Sequence, residues 1–286
     1  MTLPASGTIS LSDIQTEFGG SNPIGLNEYY NGGTYVTSND YAPNVPSSGA
    51  ISTSNFYNAR KNTLNTVSIL SSQTWTAPST LKGTLNVLIV AGGGAGGSGW
   101  DEGGGGGGAG GLLYQTGVSA TAGTGYSIVI GAGGSSSGAH GSDSSAFGYT
   151  ATGGGAGSVS NTGNSAQNGG SGGGGGNGSS GPPGSGISGQ GYGGGTGSAA
   201  GDRAGGGGGG GAGGAGGAGG SSNNGGAGAT YFGNTYAKGG SGTPGFNTAQ
   251  SGAANTGNGG DGAPGYGTSK TPGLGGSGIV IIQGYW

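Results

Sequence analysis

Gly92, Gly94 and Gly97 stand at G-x-G-x-x-G spacing directly behind the apolar run Val87–Val90. In dinucleotide-binding folds that spacing lays a pyrophosphate against a helix amino terminus. The chemistry needs a helix after the turn and an acid about twenty positions on. Here Ser98-Gly99-Trp100-Asp101-Glu102 leads into six further glycines, and Leu112 and Leu113 stand where the acid is needed. Glycine supplies 87 of 286 residues, so three glycines in a fixed spacing recur by chance at roughly 3% of positions. No cofactor is expected. His140, the sole histidine, lies near Asp143 in the polar stretch Ser-Gly-Ala-His-Gly-Ser-Asp, without the buried acid and strained nucleophile turn of a hydrolase triad. Asp101-Glu102 are adjacent on a glycine loop and hold no fixed separation for paired acid and base work. Gly259-Gly260-Asp261-Gly262 hints at calcium-binding repeats, but aspartate does not recur at the spacing they need. The chain reads as a non-enzyme without metal or catalytic residues.

Contact chemistry is the better candidate. Tyr192, Tyr231, Phe232 and Phe246 interrupt stretches of Gly, Ser, Asn and Thr, as Tyr236 and Tyr266 also do. Aromatics among small polar neighbours suit recognition of a carbohydrate or a protein surface, as in antibody loops. We take Tyr192, Tyr231, Phe232 and Phe246 as candidate receptor contacts, on loops spanning 161–168, 177–192, 221–236 and 243–255. Each could equally plug a gap in the glycine layers. Charged residues make up 5% of the chain and the net charge is −3, so no basic field exists for nucleic acid or an anionic membrane. No apolar run reaches the roughly 18–20 residues of a membrane span, and residues 1–17 lack the pattern of a signal peptide. With no cysteine, disulfides and thiolate sites are excluded.

The elements that must position these residues fall into two parts. Residues 1–62 carry a repeat, in which Leu3-Pro-Ala-Ser-Gly-Thr-Ile-Ser-Leu-Ser-Asp-Ile14 aligns with Val45-Pro-Ser-Ser-Gly-Ala-Ile-Ser-Thr-Ser-Asn-Phe56. Each copy reads as a turn, a short strand and a helix start. Ser12 with Gln15 fits a capping box, Ser54 could cap Asn55–Lys61, and Leu26–Tyr30 reads as a helical turn. These pieces look too short to fold alone and read as an anchoring module.

Residues 63–286 read as a β domain. Strands are expected at Val67–Leu70, Thr74–Thr76, Leu85–Val90, Leu112–Val118, Tyr126–Ile130, Ala146–Thr152 and Ile279–Ile282. Strand-bearing segments thus span about 65–152 and 278–286, and the carboxy-terminal strand should return beside Val87–Val90. That closes a small antiparallel sandwich or jelly roll around a glycine-rich insertion at about 153–278. Gly210–Gly219 shows a period of three, and the proline content, ten residues, is too low for collagen. Glycine in a polyproline-II-like conformation keeps three residues per turn, so such helices can pack closely and hydrogen-bond to one another.

The motif residues of 3–14, 26–33 and 45–57 resemble the amino-terminal module of tail proteins from marine and cyanobacterial phages. Trp75-Thr-Ala-Pro, Leu85–Gly97, Gly110–Tyr114, Tyr126–Gly134 and Gly278–Ile282 resemble the glycine-rich domain of phage tail fibres and tail-tip proteins. The resemblance implies a β sandwich with glycine-rich loops, no catalytic residues and assembly as trimers. By analogy with adhesins that stack polyglycine-II helices, it implies attachment to a host surface glycan or outer-membrane protein, with residues 1–62 binding other tail proteins in the virion. A purely architectural virion protein, such as a fibre connector, baseplate piece or capsid decoration, is the alternative. A non-viral matrix or ice-binding protein is a further one.

Overall fold

The computed structural model describes residues 2–99, 102–160, 165–178, 182–198, 205–220, 223–242, 248–265 and 271–286. The fold is mainly β. One four-stranded antiparallel sheet has the order β1-β10-β3-β4, built from β1 (Leu64–Ile69), β3 (Lys82–Val90), β4 (Leu112–Val118) and β10 (Ile279–Tyr285). The carboxy-terminal strand lies beside the central apolar strand as its β-branched run predicts, with Val280 opposite Ile89 and Ile282 opposite Val87. Period-two alternation then divides the apolar side chains between two faces.

Leu85, Val87, Ile89, Val280 and Ile282 form one face, and Leu88, Val90, Ile279 and Ile281 the other. Against the first face packs the pair β2 (Gln73–Thr76) and β5 (Gly125–Ile128), continued through a Val129–Ser145 bridge into the hairpin of β6 (Ser144–Ala146) and β7 (Tyr149–Ala151). A second hairpin, β8 (Ala229–Tyr231) with β9 (Asn234–Tyr236), covers the opposite face.

Sequence and structure differ at both hairpins. The stretch 146–152, expected as one strand, turns back at Phe147-Gly148, and Tyr231, Phe232 and Tyr236, expected as loop aromatics, belong to a hairpin turning at Phe232-Gly233. Phe147 and Phe232 sit at φ +52° and +50°, with +84° and +79° at the glycines that follow. Two left-handed residues make the tight turn whose twist matches paired strands, a place where Asn-Gly is the usual choice. Here each phenylalanine fills a gap in the sandwich. Phe147 lies 4.8 Å from Tyr126 and 5.8 Å from Trp75, while Phe232 lies 6.0 Å from Tyr114.

The glycine segments extend the expected insertion forward, because they begin directly after β3 at residue 91 rather than at 153. Residues 103–111 are buried and occupy the centre of the array. Their amides donate in rotation to three neighbours. Gly104, Gly107 and Gly110 donate to Ala263, Gly260 and Gly257; Gly105, Gly108 and Gly111 to Ser158, Gly155 and Thr152; Gly106 and Ala109 to Gly207 and Gly210. Their carbonyls accept from three others: Ala91, Gly94 and Gly97; Ser171, Gly174 and Asn177; and Gly240.

A helix of three residues per turn with no internal hydrogen bonds produces this rotation. The central helix is bonded on six sides, which satisfies its main chain without a side-chain core. Side chains are excluded by contact. A Cβ on Gly105, Gly106 or Gly107 would stand 1.9, 2.1 or 2.2 Å from a carbonyl oxygen of Gly174, Gly240 or Gly94. At the rim, where one side of the helix meets solvent, every third residue can be larger. The Gly-Gly-Ala period places Ala215 and Ala218 there, both exposed.

Residues 2–62 close around their own core of Ile14, Phe18, Tyr29 and Phe56. Helix α1 (Leu11–Phe18) is capped by Ser10 with Asp13, not by Ser12 with Gln15: Ser10 is extended, and its amide and hydroxyl donate to Asp13 Oδ2 at 2.8 and 2.7 Å. Ser12 already lies inside the first turn, where its carbonyl accepts from the Thr16 hydroxyl. The second copy repeats the cap with Ser52 and Asn55 on a 3₁₀ turn, Thr53–Phe56, in place of the longer helix expected from Ser54. Leu26–Glu28 is also a 3₁₀ turn.

The two turns of the repeat are held in the same way. Tyr57 and Asn58, just after the second copy, donate to the carbonyls of Gly7 and Pro4, and Tyr30 and Asn31, just after the Leu26–Glu28 turn, donate to those of Gly49 and Pro46, so each Pro-x-Ser-Gly turn is held by a Tyr-Asn pair distant in sequence. Asn62 joins this module to the β domain, donating from its side chain to the carbonyls of Asn39 and Thr80.

Candidate functional site

Two of the candidate contact residues meet in one cleft of about 620 Å³. Tyr231 enters from the end of β8 and stacks on Tyr114 of β4, with centroids 4.7 Å apart and rings tilted by 36°. Tyr192 enters from the glycine array and is 52% exposed. Its amide donates to Gly211 and its carbonyl accepts from Gly172, so two neighbouring glycine segments fix its main chain. Gln190 completes the wall: its carbonyl accepts the Leu112 amide at 3.0 Å, and its side-chain oxygen accepts the Thr152 amide at 2.8 Å. Gly111 leaves room for that carboxamide, since a Cβ there would lie 2.3 Å from Gln190 Oε1.

Residues 66–285 match the family described as Glycine-rich domain. The chain belongs to this glycine-rich domain family. A comparison with curated proteins finds no match.

Elsewhere in the glycine-rich domain, Asp143 and Asp261 among the described residues are bonded to the scaffold. The amides of residues 91–97 all donate to neighbouring segments, so the phosphate-loop spacing marks a polyglycine helix rather than a loop opening an α-helix. Asp143 accepts the Gly153 amide at 2.8 Å, and His140 is exposed at a shallow depression with Gln167 and Pro182. Asp261 accepts the amides of Ser241 and Gln250, tying two segments together. Among the described residues no three His, Cys, Asp or Glu side chains converge as metal ligands. Asp101 and Phe246 lie outside the described residues, and so does Tyr266.

Phe232 does not line the cleft; it packs behind it against Tyr114. The sequence reading missed Tyr114 and Gln190. Tyr114 follows the alternation of β4 and reads as an ordinary sheet residue. Gln190 gives no signal, because its place beside Tyr192 depends on lattice contacts distant in sequence.

Proposed function

We propose that this protein is a structural and adhesive component of a bacteriophage tail, a tail-fibre or tail-tip protein that displays a contact surface to the host cell. The observation that carries the reading is the polyglycine lattice. Six-sided main-chain bonding makes a rigid support, and the aromatic cleft opens at its surface with main-chain atoms already fixed, which lowers the ordering cost of binding. The module of residues 2–62 has its own core, which suits an anchor to neighbouring tail proteins, and its resemblance to phage tail modules supports that role. Leu64 at the start of edge strand β1 and Leu70 just past its end, each 51% exposed, support association of copies, which we propose to be trimeric. Adhesion is tested by adsorption competition. The purified full chain should bind host cells and slow phage adsorption, with exchange of 187–193 and 229–236 altering host range. A chain that binds no cells, with loops exchangeable at no effect on host range, would leave only an architectural role. Size-exclusion chromatography with light scattering tests the trimer, and a monomer at micromolar concentration refutes it.

A further inference from the structure

We infer that the cleft between Tyr114, Tyr192 and Tyr231 is a binding site for a neutral oligosaccharide; this deepens the adhesive reading and rests on it. The main-chain polar groups of Gln190 and Tyr192 and the Gln190 side-chain oxygen are bonded within the protein, but four side-chain groups of the cleft are not. Tyr29, Tyr30, Tyr57 and Tyr126 hold hydrogen bonds through their hydroxyls to the main chain. Among the described residues, the hydroxyls of Tyr114, Tyr192 and Tyr231 have no such partner, as is also true of Tyr35, Tyr41, Tyr149, Tyr236 and Tyr285; what sets the three apart is that they share one cleft with Gln190, whose Nε2 group has no partner either. They combine stacked ring faces with donors and acceptors in a cleft of about 620 Å³, within the usual range for small-ligand sites.

The chemistry selects among ligands. A pyranose offers an apolar C–H face to the rings and hydroxyls to the phenols and the carboxamide. A purely apolar ligand would strip water from those polar groups without replacing it, which disfavours it. An anionic polysaccharide would find no countercharge, because no charged residue lines the cleft. Gly186, Gly189, Gly191 and Gly193 alternate along the wall with Ser188, Gln190 and Tyr192, so bare main chain separates the side chains on that side.

The test uses the full chain with four neutral tetrasaccharides (of β-glucose, α-glucose, mannose and N-acetylglucosamine) and a tetragalacturonate, followed by saturation-transfer NMR and titration. At least one neutral sugar should saturate below 10 mM, and the galacturonate should bind more weakly. Tyr192→Ala, at a half-exposed side chain, should weaken binding at least tenfold. Gln190→Glu keeps the acceptor for Thr152 but loses the donor, and should weaken binding severalfold. Tyr149→Ala, on the far hairpin, should change nothing. No neutral sugar saturating below 10 mM, preference for the galacturonate, or unchanged binding in both cleft variants overturns the site. Full-strength adsorption to host cells by Tyr192→Ala also overturns it, while leaving the adhesive reading standing. A native chain that binds a tetrasaccharide but no cells supports the site and removes the adhesive reading.

Discussion

Replacing Gly107 by alanine puts a methyl group where a neighbouring chain already lies. Its Cβ would stand 2.2 Å from the Gly94 carbonyl oxygen, about 1.2 Å short of the 3.4 Å at which ordinary contact begins. Residues 91–97 would have to retreat by about that distance. Three hydrogen bonds join them to the central helix, from Ala91 to Gly111, Gly94 to Gly108 and Gly97 to Gly105, at 3.0, 2.8 and 2.8 Å. A retreat of this size breaks the nearer ones. Each lost bond costs about 1 kcal/mol, and a buried group left unpaired costs about 1–3 kcal/mol. The expected penalty is about 3–5 kcal/mol.

The control is Gly214→Ala, at a glycine of ordinary φ whose Cβ would meet nothing closer than 3.7 Å. Restricting the unfolded chain there should stabilise by about 0.4–1 kcal/mol. The same substitution should thus have opposite signs at two glycines. Guanidinium denaturation followed by tryptophan fluorescence measures both, and hydrogen exchange of residues 103–111 should accelerate only in Gly107→Ala. If the two variants lie within about 1 kcal/mol of each other, close main-chain packing does not hold this domain together.

Phe147→Asn should lower stability by about 1–2 kcal/mol. The left-handed turn becomes easier by about 1 kcal/mol, but ring contacts with Tyr126 and Trp75 worth about 0.5–1.5 kcal/mol each, and the burial of the ring, are lost; an unchanged melting temperature would refute the plug. Hydrogen bonds from Ser10 hold Asp13 below its ordinary pKa of 3.8. Its cap contribution is therefore complete above pH 3.8 and is lost as pH falls through the lower folded-state value; exchange of the α1 amides should speed up there, and Asp13→Asn, which copies Asn55 of the second repeat, should abolish that dependence. Leu88→Ala, in a fully buried site of β3, should cost about 2–5 kcal/mol by thermal or chemical denaturation, whereas Ala218→Ser at the rim should stay within about 0.5 kcal/mol.

The strands β3 and β10 were legible because unbroken Val, Ile and Leu runs between glycine turns have few other uses. The repeat of 3–14 and 45–56 is legible from its aligned residues, although the pattern Ser12 with Gln15 points two positions past the capping serine. Asp13 and Gln15 both offer a partner, and only the extended conformation at Ser10 decides between them. The hairpins stayed hidden because Phe-Gly is a poor turn signal on local grounds. What favours it is a gap in the opposing sheet. Repetition was the available clue, in Phe147-Gly-Tyr-Thr-Ala and Phe232-Gly-Asn-Thr-Tyr. The period of three announced polyglycine helices but could not say which helix neighbours which, since a residue without a side chain carries no mark of its partner. For the same reason the meeting of Tyr192 with Tyr114 and Tyr231 leaves no trace in the sequence.

The rim of the array has a consequence for how such a protein changes over generations. In most domains a new surface residue must agree with a packed interior beneath it. Here the interior has almost no side chains to disagree with, and every third position along an outer helix projects away from the bonded faces. Those positions form a nearly free alphabet, able to drift letter by letter while the bonding pattern underneath stays the same.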